Sequence, residues 1–405
     1  MYASSNFGRR PGPPFNKLRV NQFGIMRILK LLRALKRSWS KYRPSVEVLI
    51  SADNLVHNLR AYQRQYPQLS FAPVLKSNAY GHGLVLVAQI LDKENIAFFV
   101  VDSLFEAMIL RNEGVKSRIL VIGYTSVENI NNSKLSDVAF AITSLEHLQA
   151  IARAVTKVKK FHLKIDTGMN RQGILQNQIA EAIKIIQGGK YIKLEGVCSH
   201  LADADNENAN FTKLQIGRWQ EIVEIFKDKF PEIKYYHLAA SAGVFYADYL
   251  AGSAVRLGLG LYGFNASSSV KLDLKPVLRI ESIVSSVKAV LAGESVGYGL
   301  TYKTARPAKI ATVPAGYFEG IDRRLSNNGF LKINDCFCPI IGRVSMNITT
   351  IDVSAVPDVS LGDKAVIVSD NQSDKNSVES LAKLARMIPY EILVHIPQHL
   401  RRVVV

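Results

Sequence analysis

A lysine follows directly on a short apolar segment in the first third of the chain. The run Phe71–Leu75 has the composition of a buried β-strand, and Lys76 is the next residue. A lysine in this position emerges where the strand ends, in surroundings of low dielectric constant that favour the neutral amine. Schiff-base chemistry requires a neutral amine. On position alone, a rim lysine that only extends its ammonium into water is the alternative interpretation.

Further polar residues come at the ends of later apolar segments. In chain order they are Lys164, Arg171, His200, Ser241 and Arg256. Gly258 and Leu259 follow Arg256 and contribute through their backbone. Ser241 opens a short helix, and Gly258-Leu259 offers backbone N–H groups, so both suit a phosphate. The set contains no obvious group of metal ligands. A reactive lysine together with a phosphate cup is the sequence outline of a pyridoxal phosphate site.

Eight apolar, β-branched runs alternate with amphipathic helical segments and position these residues. The runs are Phe71–Leu75, Ala97–Val101, Arg118–Ile122, Asp137–Ile142, Phe161–Ile165, Lys193–Cys198, Tyr235–Ala239 and Val255–Leu261. Strands that alternate with helices pair in parallel. Eight such units predict an α/β fold, a closed (β/α)8 TIM barrel, whose reacting groups lie at the C-terminal ends of the strands.

The pattern changes after roughly residue 277. Strand-like runs joined by short Gly, Asp and Asn turns replace the alternation, and one helix precedes a last strand. The runs are Leu278–Leu291, Lys309–Pro314, Phe330–Ile333, Ile340–Val344, Ile348–Val353 and Ala365–Ser369, and the helix is Val378–Met387. We therefore predict a basic arm over residues 1–45, a barrel over 46–277 and a mostly-β C-terminal domain over 278–405.

The positive charge of the chain is concentrated in the arm. Residues 1–46 contain eleven Lys or Arg and no acid, so of the net charge of +17 only +6 remains for the rest of the chain. From Gly24 to about Lys41, apolar and basic residues alternate at helical spacing, which predicts a basic amphipathic helix. Such a helix could contact an anionic membrane surface. A transit peptide, a solvated extension and a misassigned start site are the alternatives, and no specific nucleic-acid partner is expected.

Two classes of protein are excluded by composition. No apolar run approaches the roughly 18 residues that span a bilayer, which excludes an integral membrane protein. Three cysteines are too few to stabilise a chain of 405 residues by disulfide bonds, which excludes a secreted disulfide scaffold. A reducing, cytoplasmic location is expected from this cysteine content.

At this level of detail the chain strongly resembles the alanine racemases, which are pyridoxal phosphate enzymes with an N-terminal barrel and a C-terminal β domain. The resemblance covers about residues 45–405. It rests on the segments Val74–Gly83, His162–Gly173, Gly196–Asp205, Ala254–Gly263, Val296–Tyr302, Pro314–Gly320 and Gly342–Met346, and on Tyr390. It implies conversion between L-alanine and D-alanine, which supplies D-alanine for cell-wall peptidoglycan.

The resemblance implies two bases. Lys76 would hold the cofactor as a Schiff base and act on the D-enantiomer, and Tyr298 would act on the L-enantiomer. Racemisation removes a proton from one face of Cα and returns one to the other, so two bases on opposite faces are the minimal design. In the family this tyrosine reaches the barrel of a partner subunit, which implies a homodimer with shared active sites. We expect the positive charges of His200 and Arg256 to stabilise the anionic form of Tyr298.

The other roles implied by the resemblance concern binding. Arg256 would bond the pyridine nitrogen, with His200 between Arg256 and the tyrosine. The phosphate would be held by Tyr80, Ser241, Gly258 and Leu259. Arg171, Met346 and Tyr317 would contact the substrate or line its entrance, and Lys164, often carbamylated in the family, would orient Arg171.

The chain departs from the family pattern at three positions. Asn347 follows Met346 where most members have aspartate, Ala240 precedes Ser241 where asparagine is common, and Gln398 stands where some members place a second phosphate-binding tyrosine. These departures leave two alternatives open. One is a serine, lysine or broad-specificity racemase, and the other is a protein that binds the cofactor without turnover.

Other candidate sites are weak. His395 and His399 are separated by Pro397, and Cys336 and Cys338 lack a second cysteine pair, so neither pair predicts a metal site.

Overall fold

The structure, a computed structural model, describes residues 42–265 and 272–405. Ser45–Val405 form one compact unit. The basic helix expected over residues 24–41 lies outside the described residues. In the part of the chain that is described, no helix combines the length and the apolar character needed to cross a bilayer.

The strands of the N-terminal half confirm the predicted barrel. After strand β1 (Glu47–Ile50) come β2 (Ser70–Pro73), β3 (Phe99–Val101), β4 (Ile119–Val121), β5 (Val138–Ile142), β6 (Lys159–Lys164), β7 (Ile192–Cys198), β8 (Tyr235–His237) and β9 (Ala254–Leu257). Strands β3 to β8 pair in parallel in sequence order, and β2 pairs in parallel with β9. Parallel bridges between Val74 and Val100 and between Ala240 and Arg256 join the two sets, which closes the ring.

Helices connect these strands. Their bounds are α1 (Ala52–Gln65), α2 (Leu84–Leu91), α3 (Leu104–Asn112), α4 (Val127–Asn132), α5 (Leu145–Ala154), α6 (Ile179–Gly188) and α7 (Asn210–Lys229). A serine N-cap starts several of them, because its hydroxyl accepts from a backbone N–H of the first turn. Ser51, Ser103, Ser126 and Ser144 do so for α1, α3, α4 and α5.

The C-terminal part is built from short antiparallel strands. They are β10 (Leu278–Ile283), β11 (Ser286–Val290), β12 (Ser295–Val296), β13 (Tyr302–Lys303), β14 (Ala308–Val313), β15 (Phe330–Ile333), β16 (Cys336–Pro339), β17 (Thr349–Asp352), β18 (Lys364–Val368) and β19 (Arg401–Val404). Two helices, α8 (Val378–Ala385) and α9 (Pro389–Val394), precede the last strand. The sheets have the orders β16-β15-β18-β10-β1-β19, β11-β14-β17 and β12-β13.

Strand β1 belongs by pairing to the C-terminal sheet. It is antiparallel to β10 and parallel to β19, whereas the sequence placed residues 47–50 in the segment 46–277 assigned to the barrel. An apolar run carries no signal of which sheet it joins, because both sheets bury it. The boundaries proposed for the domains stay predictions.

Two of the strands expected after residue 277 differ from the structure. The run Leu278–Leu291 is divided into β10 and β11, because Val284 bonds Asp363 and the chain then turns into the second sheet. The prediction of a strand over Ile340–Val344 is wrong. Strand β16 ends at Pro339, and after it only Ile340 forms a single bridge, with Ile351. Proline and glycine in this region interrupt the ladder of hydrogen bonds.

Candidate active site

Lys76 lies immediately after the C-terminal end of β2, as predicted, and begins an unusual turn. Ser77, Asn78, Ala79 and Tyr80 all have φ between 51° and 57°, so the chain makes one turn of left-handed helix. Each non-glycine residue in this region costs roughly 1–2 kcal/mol. Strain of this kind persists only where the surroundings hold it in place, and it clusters at functional sites.

Several contacts hold the left-handed turn. Glu106 accepts the N–H of Ser77 at 2.8 Å, and the side chain of Asn78 accepts the N–H of Leu84 at 2.9 Å. From the C-terminal strand β19, the Nε of Arg402 donates to the carbonyl of Gly81 at 2.8 Å. The ring of His82 is fully buried, with Nδ1 2.9–3.0 Å from two carbonyls of the turn. Together these contacts fix the direction in which Lys76 leaves the strand.

A cradle of hydroxyl and N–H groups lies at the end of β9, on the neighbouring strand. The hydroxyl of Ser241 accepts the N–H groups of Gly258 and Gly260, each at 3.1 Å. The Tyr80 hydroxyl approaches the same place, since a Cβ atom added to Gly258 would lie 2.9 Å from it. Leu259 begins a short 3-10 helix there (Leu259–Tyr262). The structure therefore brings Tyr80, Ser241, Gly258 and Leu259 together.

Arg256 is buried at the mouth of the ring, between β8 and β9, and its terminal nitrogens are used inside the protein. Nη2 donates to the carbonyls of Ser199 and Leu238 at 2.7 and 2.8 Å and approaches Nδ1 of His200 at 3.0 Å. Nη1 donates to the carbonyl of His237 at 2.6 Å and to its Nδ1 at 2.7 Å. The guanidinium is consequently held in one orientation.

His200 is electrically neutral in this site. Burial and the positive charges of Arg256, Arg171, Lys164 and Lys76 lower the pKa of His200 to about 3. Because arginine only donates, Nδ1 of His200 must accept, and the single ring proton lies on Nε2. The expectation that His200 contributes a positive charge is therefore wrong. Four nearby cations make a fifth positive charge too costly.

Lys164 lies at the end of β6 beneath the loop that carries Arg171. Its Nζ is 3.4 Å from the amide oxygen of Gln172, and its side chain is buried. Burial and the charges of Arg256 and Arg171 lower the pKa of Lys164, although Cys198 and Asp166 act in the opposite direction. Asp166 holds the loop by accepting the N–H groups of Gly168 and Asn170. Arg171 itself is exposed.

Two known families of protein domains match nearly the whole described chain in sequence. The sequence profile of "Alanine racemase, N-terminal domain" matches residues 50–266, and that of "Alanine racemase, C-terminal domain" matches residues 277–404. The chain belongs to the alanine racemase family. The enzymes of this family depend on pyridoxal phosphate.

Individual alanine racemases are similar along almost their full length. Alanine racemase 2 of Caldanaerobacter subterraneus subsp. tengcongensis is 32% identical over 372 residues, which cover 90% of this chain and 96% of the relative. The alanine racemase of Carboxydothermus hydrogenoformans is 36% identical over 362 residues, covering 88% of this chain and 98% of the relative. The solved structure of alanine racemase from Clostridium difficile 630 superposes with a TM-score of 0.83 at 30% identity, covering 90% of this chain and 97% of the other.

The residues at the barrel mouth fit the cofactor of the alanine racemases. The hydroxyl groups of Ser241 and Tyr80 converge at Gly258, and hydroxyl and backbone N–H donors gathered in this way suit a phosphate. Glycine at position 258 leaves open the space that a Cβ atom would fill. Lys76 follows strand β2 and Arg256 lies on β9, and these two strands pair directly.

Three residues expected in the site lie on the C-terminal part instead. Tyr298 begins a short turn between Gly297 and Thr301 and is 72% exposed. Tyr317 and Met346 are exposed on two loops that are tied together, since Tyr317 N–H donates to the carbonyl of Ser345 at 3.0 Å. Among the described residues, no hydrogen bond joins these three side chains to Lys76, His200 or Arg256 within one chain.

The departures from the alanine racemase pattern have visible contacts. The amide of Asn347 donates to Glu319 at 2.8 Å, and the same carboxylate accepts the N–H of Gly316. An aspartate at position 347 would place two like charges together, so asparagine and Glu319 are compatible partners. The side chain of Gln398 is exposed, and the tyrosine beside Tyr80 is Tyr390, with ring centroids 5.9 Å apart. Nothing in the structure explains Ala240.

The buried residues that contact the site residues were not predicted from the sequence. Glu106 accepts from Ser77, and His237 accepts from Arg256. His162 and Glu195 are buried further inside the barrel. A signal for His162 was available: Lys160, His162 and Lys164 alternate on one strand, which places three polar side chains on the face that lines the ring. Within residues 42–265 and 272–405, no group of three or more His, Cys, Asp or Glu is assembled.

Proposed function

We propose that this chain is an alanine racemase, which interconverts L-alanine and D-alanine with pyridoxal phosphate and supplies D-alanine for peptidoglycan. The observation that carries the proposal is the convergence of Lys76, the hydroxyl and N–H cradle around Gly258, and the fixed guanidinium of Arg256 at one end of the barrel. These groups are what a barrel needs to hold a phosphorylated pyridine and to present an amine to it.

The cofactor, when bound, draws electron density away from the substrate amine and so makes the Cα hydrogen removable. Tyr80, Ser241, Gly258 and Leu259 would hold its phosphate, and Arg256 would donate to its ring nitrogen. Because an arginine does not give up its proton, this partner would leave the ring a weaker electron sink. Such an arrangement would limit side reactions such as transamination.

Two bases exchange the Cα proton on opposite faces of the substrate. The Nζ of Lys76 takes or returns the proton on the D side, and the hydroxyl oxygen of Tyr298 does so on the L side. Arg171 and the backbone N–H of Met346 bind the substrate carboxylate, and Tyr317 lines the entrance. In the proposed dimer, the positive charge that faces Tyr298 would come from the partner's Arg256, while His200 is neutral, accepts at Nδ1 and carries its proton on Nε2.

We infer that the active enzyme is a homodimer in which each site uses residues from both subunits. The exposure of Tyr298 supports this, because a base in bulk water cannot control a proton transfer. Apolar side chains are also exposed on the same part of the chain. Leu300 is two residues from Tyr298, and Phe318, Met346 and Ile348 are exposed elsewhere on this part of the chain. A second copy that covered this surface would exclude water from the tyrosine.

The compartment proposed for the enzyme is the cytoplasm. The three cysteines Cys198, Cys336 and Cys338 are unpaired in the structure, which suits a reducing environment. Contact of the basic arm with a membrane surface stays a prediction from sequence.

A panel of L-amino acids tests the proposed activity. Purified protein with added pyridoxal phosphate should convert L-alanine to D-alanine faster than it converts L-serine or L-lysine. Faster conversion of serine or lysine would assign the chain to a different racemase specificity. Absence of D-product from every substrate, with cofactor bound, would indicate a binding protein without turnover.

A further inference from the structure

A line of polar side chains runs through the interior of the barrel, below Arg256. Nη1 of Arg256 is 2.7 Å from Nδ1 of His237, and Nε2 of His237 is 2.7 Å from Nδ1 of His162. Beyond His162, Nε2 faces Oε2 of Glu195 at 3.9 Å. All four side chains are buried. We call Arg256, His237, His162 and Glu195 the barrel column.

The positions of the protons in the barrel column follow from its upper end. Arginine has donors and no acceptor, so Nδ1 of His237 must accept and its proton must lie on Nε2. That proton is donated to Nδ1 of His162, whose own proton is then on Nε2. The N–H of His162 is then on the side of Glu195, whose Oε2 is a charge partner at 3.9 Å and not a hydrogen-bond acceptor at that distance. The fixed charge of Arg256 thus sets the tautomer of both imidazoles.

Both imidazoles are in the neutral form that this arrangement needs. Burial, together with the charges of Arg256 and Lys164, places the pKa of His237 well below its usual value. Burial and the charges of Arg118 and Arg256 lower the pKa of His162, although Glu195 acts in the opposite direction. A second proton on His237 would turn its Nδ1 into a donor facing a donor of Arg256.

The backbone is shaped to admit the barrel column. Phe161 pairs with Leu194 but His162 pairs with Gly196, so Glu195 is the extra residue of a β-bulge. A bulge re-aims a side chain, here into the ring. Gly196 lies against the imidazole of His162, and a Cβ atom at that position would be 2.6 Å from its Nδ1. Only glycine leaves room for the ring.

Charged groups close the lower end of the barrel column. Oε1 of Glu195 is 3.6 Å from Nη1 of Arg118 and 3.7 Å from Nζ of Lys160, and Lys160 also contacts Asp137 at 2.5 Å. Burial favours the neutral acid, but the facing His162 and the charges of Arg118 and Lys160 outweigh it and lower the pKa of Glu195. Burying charges costs several kcal/mol per ion, and barrel interiors are normally filled with branched apolar residues. A barrel column of this kind is therefore not the least costly way to fill the core.

We propose that His237 and His162 are positioning residues, which hold the guanidinium of Arg256 in the orientation that meets the ring of the cofactor, with Glu195 as the charge that anchors the lower end. The role in cofactor binding rests on the proposed function, whereas the proton positions do not.

Side-chain nitrogen NMR of the holoenzyme, labelled with 15N at histidine, tests the proton positions. Protonated and unprotonated ring nitrogens resonate at well-separated shifts. We expect His237 and His162 both to carry one proton, on Nε2, and spectra of His237→Asn and His162→Asn assign the signals. A proton on Nδ1 of either ring, or two protons on one ring, would overturn the proposed order of donors. The proton positions are read from the spectrum of the unsubstituted protein, and the variants serve only to assign its signals, so each variant is first checked for folding by circular dichroism.

The affinity for pyridoxal phosphate tests the positioning role, by titration of the apoenzyme and separately from turnover. In His237→Leu, Nη1 of Arg256 loses its side-chain acceptor while Nη2 keeps His200, and we expect Kd for the cofactor to rise roughly 10- to 100-fold, as when the outer partner of a binding group is removed. In His237→Asn, the amide oxygen takes the place of Nδ1, so most of the affinity should return. If His237 only filled space in the core, His237→Asn would bind the cofactor no better than His237→Leu.

The matched control is His147→Asn. His147 is also buried in the barrel wall, where Nε2 lies 3.0 Å from the carbonyl of Thr125, but it has no contact with Arg256. Its substitution should lower stability and leave the cofactor Kd unchanged. An unchanged Kd in folded His237→Leu, or equal losses in His237→Leu and His237→Asn, would contradict the positioning role. A chain that binds the cofactor as expected but racemises no amino acid would refute only the proposed function.

Discussion

A Cβ atom on Gly258 would lie 2.9 Å from the hydroxyl oxygen of Tyr80. Gly258 directly follows strand β9, and Tyr80 ends the turn that follows strand β2; the two strands are adjacent in the closed ring although they are far apart in sequence. The space between them is therefore a property of barrel closure.

Gly258→Ala should weaken binding of pyridoxal phosphate, because the added methyl group would displace Tyr80 or occupy part of the cradle. Losing one hydrogen bond to a charged group costs about 1.5–3 kcal/mol, which is roughly a 10- to 100-fold rise in Kd. Fluorescence titration of the apoenzyme measures this. Gly217→Ala is the control: no atom lies within 4 Å of its Cβ position, in the middle of α7, so it should keep the Kd and stabilise the helix.

Substitutions of Lys76 and of Tyr298 should have different effects on cofactor binding and on turnover. Lys76→Ala should abolish turnover in both directions, and reduction of the unsubstituted holoenzyme with borohydride should attach the cofactor to Lys76. Tyr298→Phe should retain the cofactor and its absorbance, since Tyr298 is not part of the cradle, yet lose racemisation by about 10²–10⁴-fold, the range for removal of one general base. A wild-type rate in Tyr298→Phe, or a label on another lysine, would contradict the assignment.

Mixed dimers test whether the site is shared between subunits. In a dimer of one Lys76→Ala and one Tyr298→Phe chain, a shared design gives one site with both lesions and one site with neither. Random exchange of equal amounts makes half of the dimers mixed, so activity should rise to roughly a quarter of wild type if the sites act independently. Subunit exchange is verified with a tagged chain. Exchange without recovered activity would show that both bases act within one subunit.

Lys164 should take up carbon dioxide. Its lowered pKa supplies the neutral amine, whose nitrogen attacks the carbon of CO2 and loses a proton to solvent, which leaves a carbamate anion. That anion would lie near Arg256 and Arg171, where a negative charge is favoured. Carbon NMR of enzyme equilibrated with 13C-bicarbonate should show one carbamate signal, which should disappear in Lys164→Gln. A signal that survives this substitution would place the modification elsewhere.

The buried histidines should make the protein sensitive to acid. The pKa values of His200 and His82 are lowered to about 3 and about 4, chiefly by burial, so the unfolded state binds protons that the folded state does not. Stability is consequently lost as pH falls below the unfolded value of roughly 6.5, by up to about 1.4 kcal/mol per pH unit for each histidine. Urea unfolding at pH 7 and pH 5 measures the slope. His82→Gln should reduce it, whereas substitution of the exposed His395 by glutamine should not.

Much of the site was predictable because parallel barrels place strand ends together. Lys76, Lys164, His200, Ser241 and Arg256 each follow or end an apolar run, and the structure gathers them at one end of the ring. Their proximity needs only the closure of the strands in order. The residues that hold them were harder to find, since nothing local in a sequence marks a contact between β6 and β8 such as that of His162 with His237.

The conformation of one turn and the pairing of one strand could not be predicted from the sequence either. The left-handed turn at Ser77–Tyr80 contradicts the propensities of its residues and exists because Glu106 and Arg402, both distant in sequence, hold it. Strand β1 could not be assigned to its sheet, because its partners β10 and β19 come more than two hundred residues later. Tyr298 could be recognised by resemblance, but a single chain leaves it exposed, and no local pattern in the sequence marks the surface that covers it in the dimer we propose.

The pairing of β1 with β19 also bears on how the protein is made. The ribosome releases β1 first among the described strands, while β19 emerges roughly 350 residues later, which at typical translation speeds is a delay of tens of seconds. Until β10 emerges, after all the barrel strands, the apolar residues Val48 and Ile50 have no sheet to enter, and the edge that faces β19 stays open until the end of synthesis. The nascent chain therefore carries an unpaired β edge through most of its synthesis, and this segment is where chaperone binding or premature aggregation would begin.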